Sequence, residues 1–144
     1  MTVTELYKAF NHFDNTLDLE LNEKGPGDVE YRLQVSKKHL SSPGVGHGGM
    51  VAAMMDAVIG TTALSKVFHE RKLVSTIEFK INYFKPIFED DILIGTGEIE
   101  FHGKSIIACS GKIIKLETGE LVSKSLGTFN IYPMEKRGLK LDFD

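Results

Sequence analysis

Between Lys38 and Lys66 the sequence carries one formally charged side chain, Asp56. It falls inside a stretch, residues 50–64, that is otherwise almost wholly apolar. Its neighbours at helical spacing, Ala52, Ala53, Ile59 and Gly60, cannot neutralise it. A buried, unpaired carboxylate costs several kcal/mol or holds its proton to a higher pH than usual. Such a group either braces a nearby backbone and is inert, or works as a nucleophile or general base in a pocket wall.

Upstream of it stands His47-Gly48-Gly49. If a helix begins there, its free N–H groups and positive dipole end face outward. Glycines at that position let a ligand approach the backbone, which suits a carbonyl oxygen gaining charge during attack. His47 could be a ligand, an acid/base or a loop brace, and the residues favour the brace. At ~1.5 Å per residue, Asp56 lies more than ~10 Å down the helix from His47. One chain's glycine amides and its own Asp56 should not grip the same carbonyl, whereas a dimer opposing two such helices could bring them together.

Other constellations are poor. The five histidines show no HxxxH or HExxH spacing, so no metal is expected. No GxSxG, Walker loop or GxGxxG occurs, and no cofactor is expected. Cys109 is the only cysteine; it excludes an internal disulfide and reads as a packing residue.

The elements that must position these residues follow from periodicity. Leu6, Phe10 and Phe13 predict a short helix within residues 3–13. TLDLELN (residues 16–22) and VEYRLQV (residues 29–35) alternate around a GPGD turn and predict a hairpin. A small-residue loop, residues 41–49, opens into one long helix over residues 48–70, apolar around most of its circumference and therefore buried. Gly49, Ala53, Ala57, Gly60 and Ala63 leave one side of it thin, so that a neighbouring backbone could approach.

TIEFKINYF (residues 76–84) alternates, with Ile77, Phe79, Ile81 and Tyr83 on one face and Thr76, Glu78, Lys80 and Asn82 on the other. Three more strands, near residues 92–101, 105–117 and 121–132, follow across the turns HGKS and ETGE, and short connections predict antiparallel neighbours. The expectation is one α+β domain over residues 1–144, a single helix wrapped by about six strands, with a polar tail at 134–144. One helix cannot cover both faces of such a sheet, which argues for a homodimer.

Composition narrows the class. Of 144 residues 42% are hydrophobic and 26% charged, an ordinary globular balance. With 17 Lys+Arg against 20 Asp+Glu the formal charge is −3, so no nucleic-acid surface is advertised. The start of the sequence lacks a basic segment followed by an apolar run, and residues 50–64 fall short of a bilayer span. The expectation is a cytoplasmic protein without a membrane partner.

GVGHGGMVAAMMD (residues 44–56) resembles the HGG…D motif of hot-dog-fold acyl-CoA thioesterases of the PaaI-like (phenylacetic acid degradation) branch, and the likeness runs from about residue 17 to residue 132. The resemblance implies a helix wrapped by a curved antiparallel sheet, and dimers often paired into homotetramers with active sites at the dimer interface. It implies an acyl-CoA substrate, with Asp56 as nucleophile or general base and the Gly48 amide, beside Gly49, polarising the thioester carbonyl. Thr76 matches a position that helps place water. Met55 and Gly60 would line the substrate, and Lys104, Lys85 and Arg71 are candidates for the CoA phosphates. Ser41 stands where many members carry Asn, and its reach is shorter. A non-catalytic acyl-CoA binder or sensor on the same fold is the alternative, and a hot-dog dehydratase a third reading.

Overall fold

The computed structural model describes residues 1–139 and 141. Two short helices open it, α1 (Val3–Phe10) and α2 (His12–Thr16). Thr2 and Glu5 close a reciprocal capping box on α1, and the Asn11 side chain caps α2 by accepting from the Asp14 N–H. The helical signal therefore splits in two at Asn11. It also runs further than expected, because Leu17 ends α2 and Asp18 turns left-handed (φ 62°) before the first strand.

Strand β1 (Glu20–Gly25) returns through a turn at Gly27 (φ +78°) into β2 (Asp28–Gln34). Val29, Tyr31, Leu33 and Val35 are all buried, as their alternation predicts. The small-residue loop is more ordered than the sequence suggests. A 3₁₀ turn (Lys37–His39) leads into β3 (Leu40–Ser42) and β4 (Val45–Gly46), a separate two-stranded sheet. Buried His39 ties that segment down, its Nδ1 meeting the Ser36 N–H at 2.9 Å and its Nε2 the Leu17 carbonyl at 2.8 Å.

The long helix is α3 (Gly48–Val67), continued by a 3₁₀ turn (Phe68–Glu70) that Arg71 ends at φ 57°. By length and composition alone, Gly48–Glu70 could cross a bilayer, contrary to the count made on residues 50–64. Instead it lies on the inner face of the sheet, with Met54, Met55, Val58, Ile59, Ala63 and Val67 wholly buried. The main sheet is completed by β5 (Lys72–Tyr83), β6 (Ile92–His102), β7 (Ile106–Lys115) and β8 (Leu121–Pro133). Its order is β1-β2-β6-β7-β8-β5, and every pairing is antiparallel.

Sequence neighbours β5 and β6 are not partners, contrary to the expectation from short connections. Residues 84–91 carry the chain away from β5, which pairs only with β8 and forms one edge of the sheet.

The close approach between helix and sheet is also made differently from the expected way. The glycines that permit it are Gly95, Gly97, Gly111 and Gly127 on the sheet, not the small residues of the helix. A Cβ on Gly111 would stand 2.6 Å from Ile59 Cγ2 and 2.8 Å from Met55 Sδ. Cys109 packs in the same layer, and burial pushes its thiol up to about 12. At the other end of the chain the polar tail is partly built. Met134–Arg137 form a 3₁₀ turn with Met134 buried, while residues 140 and 142–144 of the tail lie outside the described residues.

Candidate active site

Asp56 sits mid-way along α3 on its open side, half-buried. Among the described residues its side chain has one hydrogen-bond partner: the Thr76 hydroxyl donates to Oδ1 at 3.1 Å. Burial raises the Asp56 pKa above the ordinary carboxylate range, and the Thr76 hydrogen bond offsets part of the rise.

Thr76 reaches Asp56 because of a backbone irregularity. Thr76 pairs with core-facing Phe129 and Phe79 with Gly127, so both face inward although three positions separate them. A β-bulge at Ile77 absorbs the extra residue and leaves Ile77 55% exposed. The sequence alternation assigned Thr76 and Ile77 to the opposite faces. The bulge reverses that assignment and turns the hydroxyl toward the helix.

At the mouth of α3, His47 is the N-cap. Its Nδ1 accepts the Gly49 N–H at 2.7 Å. That bond places the imidazole proton on Nε2. His47 therefore holds the helix mouth through Nδ1, and the Gly49 amide is already engaged. The Gly48 N–H has no acceptor among the described residues and points out of the helix end. The carbonyl of Gly48 accepts from the Tyr83 hydroxyl at 2.9 Å. This anchor was not legible in the sequence, where Tyr83 reads only as one face of an alternating strand. Exposed Gly48, Tyr83 and Lys85 share a groove of about 300 Å³ with Val51 and Phe84.

The two half-sites stand apart. Gly48 and Asp56 are separated by about two turns of helix, ~12 Å. Gly60, one turn beyond Asp56, is half-buried with open backbone, and a Cβ there would make only ordinary contact with Phe129 at 3.5 Å.

Met55, expected against the substrate, is wholly buried with its sulfur toward Gly111 and offers a ligand no surface. Ser41 lies exposed on β3. Lys85 is near the helix mouth, 3.9 Å from Glu120. Lys104 lies in the β6–β7 turn, whose Ser105 carbonyl accepts from Ile131, whereas Tyr83 pairs with Ser123. Along β8 those two points are ~26 Å apart, so one chain does not gather Lys104 and Lys85. Exposed Arg71 ends the turn after α3, likewise remote from the mouth.

The chain and its fold coincide with a known class. The sequence profile of the Thioesterase superfamily matches residues 43–122, more than half of the chain, and the chain belongs to that superfamily of thioester hydrolases. Its fold is the hot-dog fold of those enzymes.

Human acyl-coenzyme A thioesterase 13 is 26% identical over 131 residues, 88% of this chain and 92% of that protein. A thioesterase from Streptococcus pneumoniae solved with coenzyme A superposes with a TM-score of 0.72 at 25% identity, over 80% of this chain and 89% of that one. The E. coli PaaI protein of the phenylacetic acid degradation operon gives a TM-score of 0.77 at 15% identity, over 89% of each chain.

Proposed function

We propose that the chain hydrolyses an acyl-CoA thioester to a free acid and CoA, with Asp56 as the catalytic carboxylate. The observation that carries this reading is the half-buried Asp56, held by one hydroxyl on the open side of an otherwise apolar helix. Thr76 gives its proton to Asp56 Oδ1, which leaves the Thr76 lone pairs to accept from a water. Asp56 Oδ2 is then free to take a proton from that water as it attacks the carbonyl carbon. The raised pKa makes Asp56 a stronger base nearer neutral pH. Charge developing on the thioester oxygen is met by the Gly48 N–H at the positive end of α3. The thiolate leaves with CoA.

One chain cannot supply both halves to one carbonyl, and β5 offers the remedy. Thr76, beside Asp56, and Tyr83, beside Gly48, lie toward opposite ends of the accessible stretch of this one edge strand. Antiparallel pairing of two β5 edges about a two-fold axis between them would bring Thr76 of one chain beside Tyr83 of the partner subunit, twice. Exposed Ile77, Tyr83 and Phe84 on an unpaired edge support such a homodimer. Lys85 beside Gly48 is the cation best placed for a CoA phosphate.

The test is free-thiol release from acyl-CoAs of graded length and from an aromatic acyl-CoA, with Asp56→Asn beside the wild type. Turnover that falls about 10²–10⁴-fold in the variant is expected for loss of an acid–base group. A folded wild type that binds acyl-CoA tightly and hydrolyses none would favour the binder reading, to which the exposed Ser41 in place of Asn also points.

A further inference from the structure

A second cavity lies along the same open side of α3, between that helix and α1. Its volume is about 380 Å³, within the range of small-molecule sites. Leu6 and Phe10 of α1 face Leu64 of α3 across it, with Tyr7 and Thr61 adding hydroxyls. The one cation among the lining residues, Arg137, is exposed. Phe10 is 61% exposed, an aromatic side chain left partly bare at the cavity rim.

The cavity lies further along the helix that carries Asp56. Asp56, Gly60 and Leu64 recur at four-residue spacing and so share one helix face. On that face of the helix Gly60 is the residue between Asp56 and Leu64, and it brings no side chain of its own; the ring of Phe129 lies 3.5 Å from where its Cβ would stand. The track from Asp56 to Leu64 is ~12 Å long.

The inner wall is closed by a buried polar cluster that the hydrolysis itself does not use. Tyr7 donates to Asp14 Oδ2 at 2.7 Å, and Asn11 donates to the same oxygen at 2.9 Å. Tyr7 also stacks edge-on against Tyr31, whose hydroxyl is 2.7 Å from that of Thr61. Burial raises the Asp14 pKa, and the hydrogen bonds from Tyr7 and Asn11 offset part of the rise. A buried acid behind Tyr7 disfavours the phosphates of CoA there, and the leucines favour hydrocarbon.

We propose that this cavity holds the far end of the acyl group, and that Leu64 and Phe10 set the chain length the enzyme prefers. The inference rests on the hydrolysis reading above. The acyl chain runs from the thioester at Asp56 across Gly60 and ends against α1. The Tyr7–Asp14–Asn11 cluster holds α1 and α2 together as a fixed end wall.

The test compares acetyl-, hexanoyl-, decanoyl- and hexadecanoyl-CoA for the wild type, Leu64→Phe and Phe10→Ala. Leu64→Phe should lower the ratio of kcat/KM for decanoyl over acetyl at least about tenfold, the scale of a few mis-sized methylenes in an apolar pocket. Phe10→Ala, at an exposed position, should move the preferred length upward even if Leu64→Phe folds poorly. Length profiles that match the wild type in both variants overturn the assignment. The same series is bound as non-hydrolysable thioether analogues. A wild type that hydrolyses none of the panel defeats the hydrolysis reading alone. Loss of the longer analogues' affinity in Leu64→Phe would still uphold the subsite, and unchanged affinities would overturn it.

Discussion

Asp56 carries a cost that the protein keeps. Desolvation raises its pKa in the folded state above the 3.8 of a free aspartate, and Thr76 cancels only part of this. The sign of the linkage follows. A carboxyl whose folded pKa is raised favours the folded state most when protonated. That stability is full below the unfolded value and is lost as pH rises through the folded one. Asp56→Asn is therefore expected to raise Tm at pH 7 by a few degrees, while removing activity, a trade common at catalytic groups. On acidification through the ordinary carboxylate range the wild type gains its proton and the two melting curves converge. Thermal scans of both proteins between pH 3 and pH 8 check this; an Asn variant no more stable at pH 7 would show that Asp56 is not strained. The sequence exposed this residue because a lone charge among apolar neighbours needs no structure to be noticed. Its partner came only from the family resemblance, not from the strand pattern. Thr76 sits in a run that alternates cleanly, and a bulge leaves no mark on alternation. Met55 misled for the opposite reason: an apolar residue beside a candidate catalytic one packs inward or outward by helix phase, and this helix is apolar around most of its circumference.

At the scale of elements, the strands of local hairpins were legible and the long-range pairing was not. The β1–β2 hairpin and the β6–β7–β8 meander follow from turn residues and alternation. Nothing local says that β5 skips β6 and closes on β8, because that pairing joins segments far apart in sequence, such as Thr76 with Phe129. The glycines of the sheet show the same tertiary control. Gly111 lies in a strand pattern where a side chain is expected, and it is glycine because α3 presses on it through Ile59 and Met55. Gly111→Ala should cost about 1–3 kcal/mol, the usual range for overpacking a well-filled core. Gly25 has open space around it, and Gly25→Ala should stay within about 0.5 kcal/mol of the wild type. Urea unfolding of both variants measures the contrast, and equal midpoints would mean that the helix rides more loosely than these distances say.

In the whole molecule the two candidate half-sites lie at two stations on one edge strand. Asp56 with Thr76 holds one, and Gly48 with Tyr83 the other, with ~12 Å of helix between Gly48 and Asp56. If each active site takes one station from each of two chains, defects should complement across subunits. Gly48→Val has room for its Cβ, whose nearest neighbour would be Tyr83 at 3.7 Å, and its methyls are expected to crowd the helix mouth. A heterodimer of an Asp56→Asn chain and a Gly48→Val chain, isolated by two different tags, would contain one site with both defects and one with neither. Its thiol-release rate should be about half that of the wild type, although each parent homodimer is inactive, because an isologous interface repeats the site twice. The reciprocal pairing removes ambiguity. A doubly substituted chain paired with a wild-type chain puts one defect in each shared site and should be inactive. Were each site built within one chain, the outcomes would exchange places: the first heterodimer would be dead and the second half-active. Loss of Asp56 or of Gly48 alone cannot make this distinction, since either site design predicts loss. The placement of both stations on β5 gives the expected result its direction, because antiparallel pairing of that edge brings unlike stations together and keeps like stations apart.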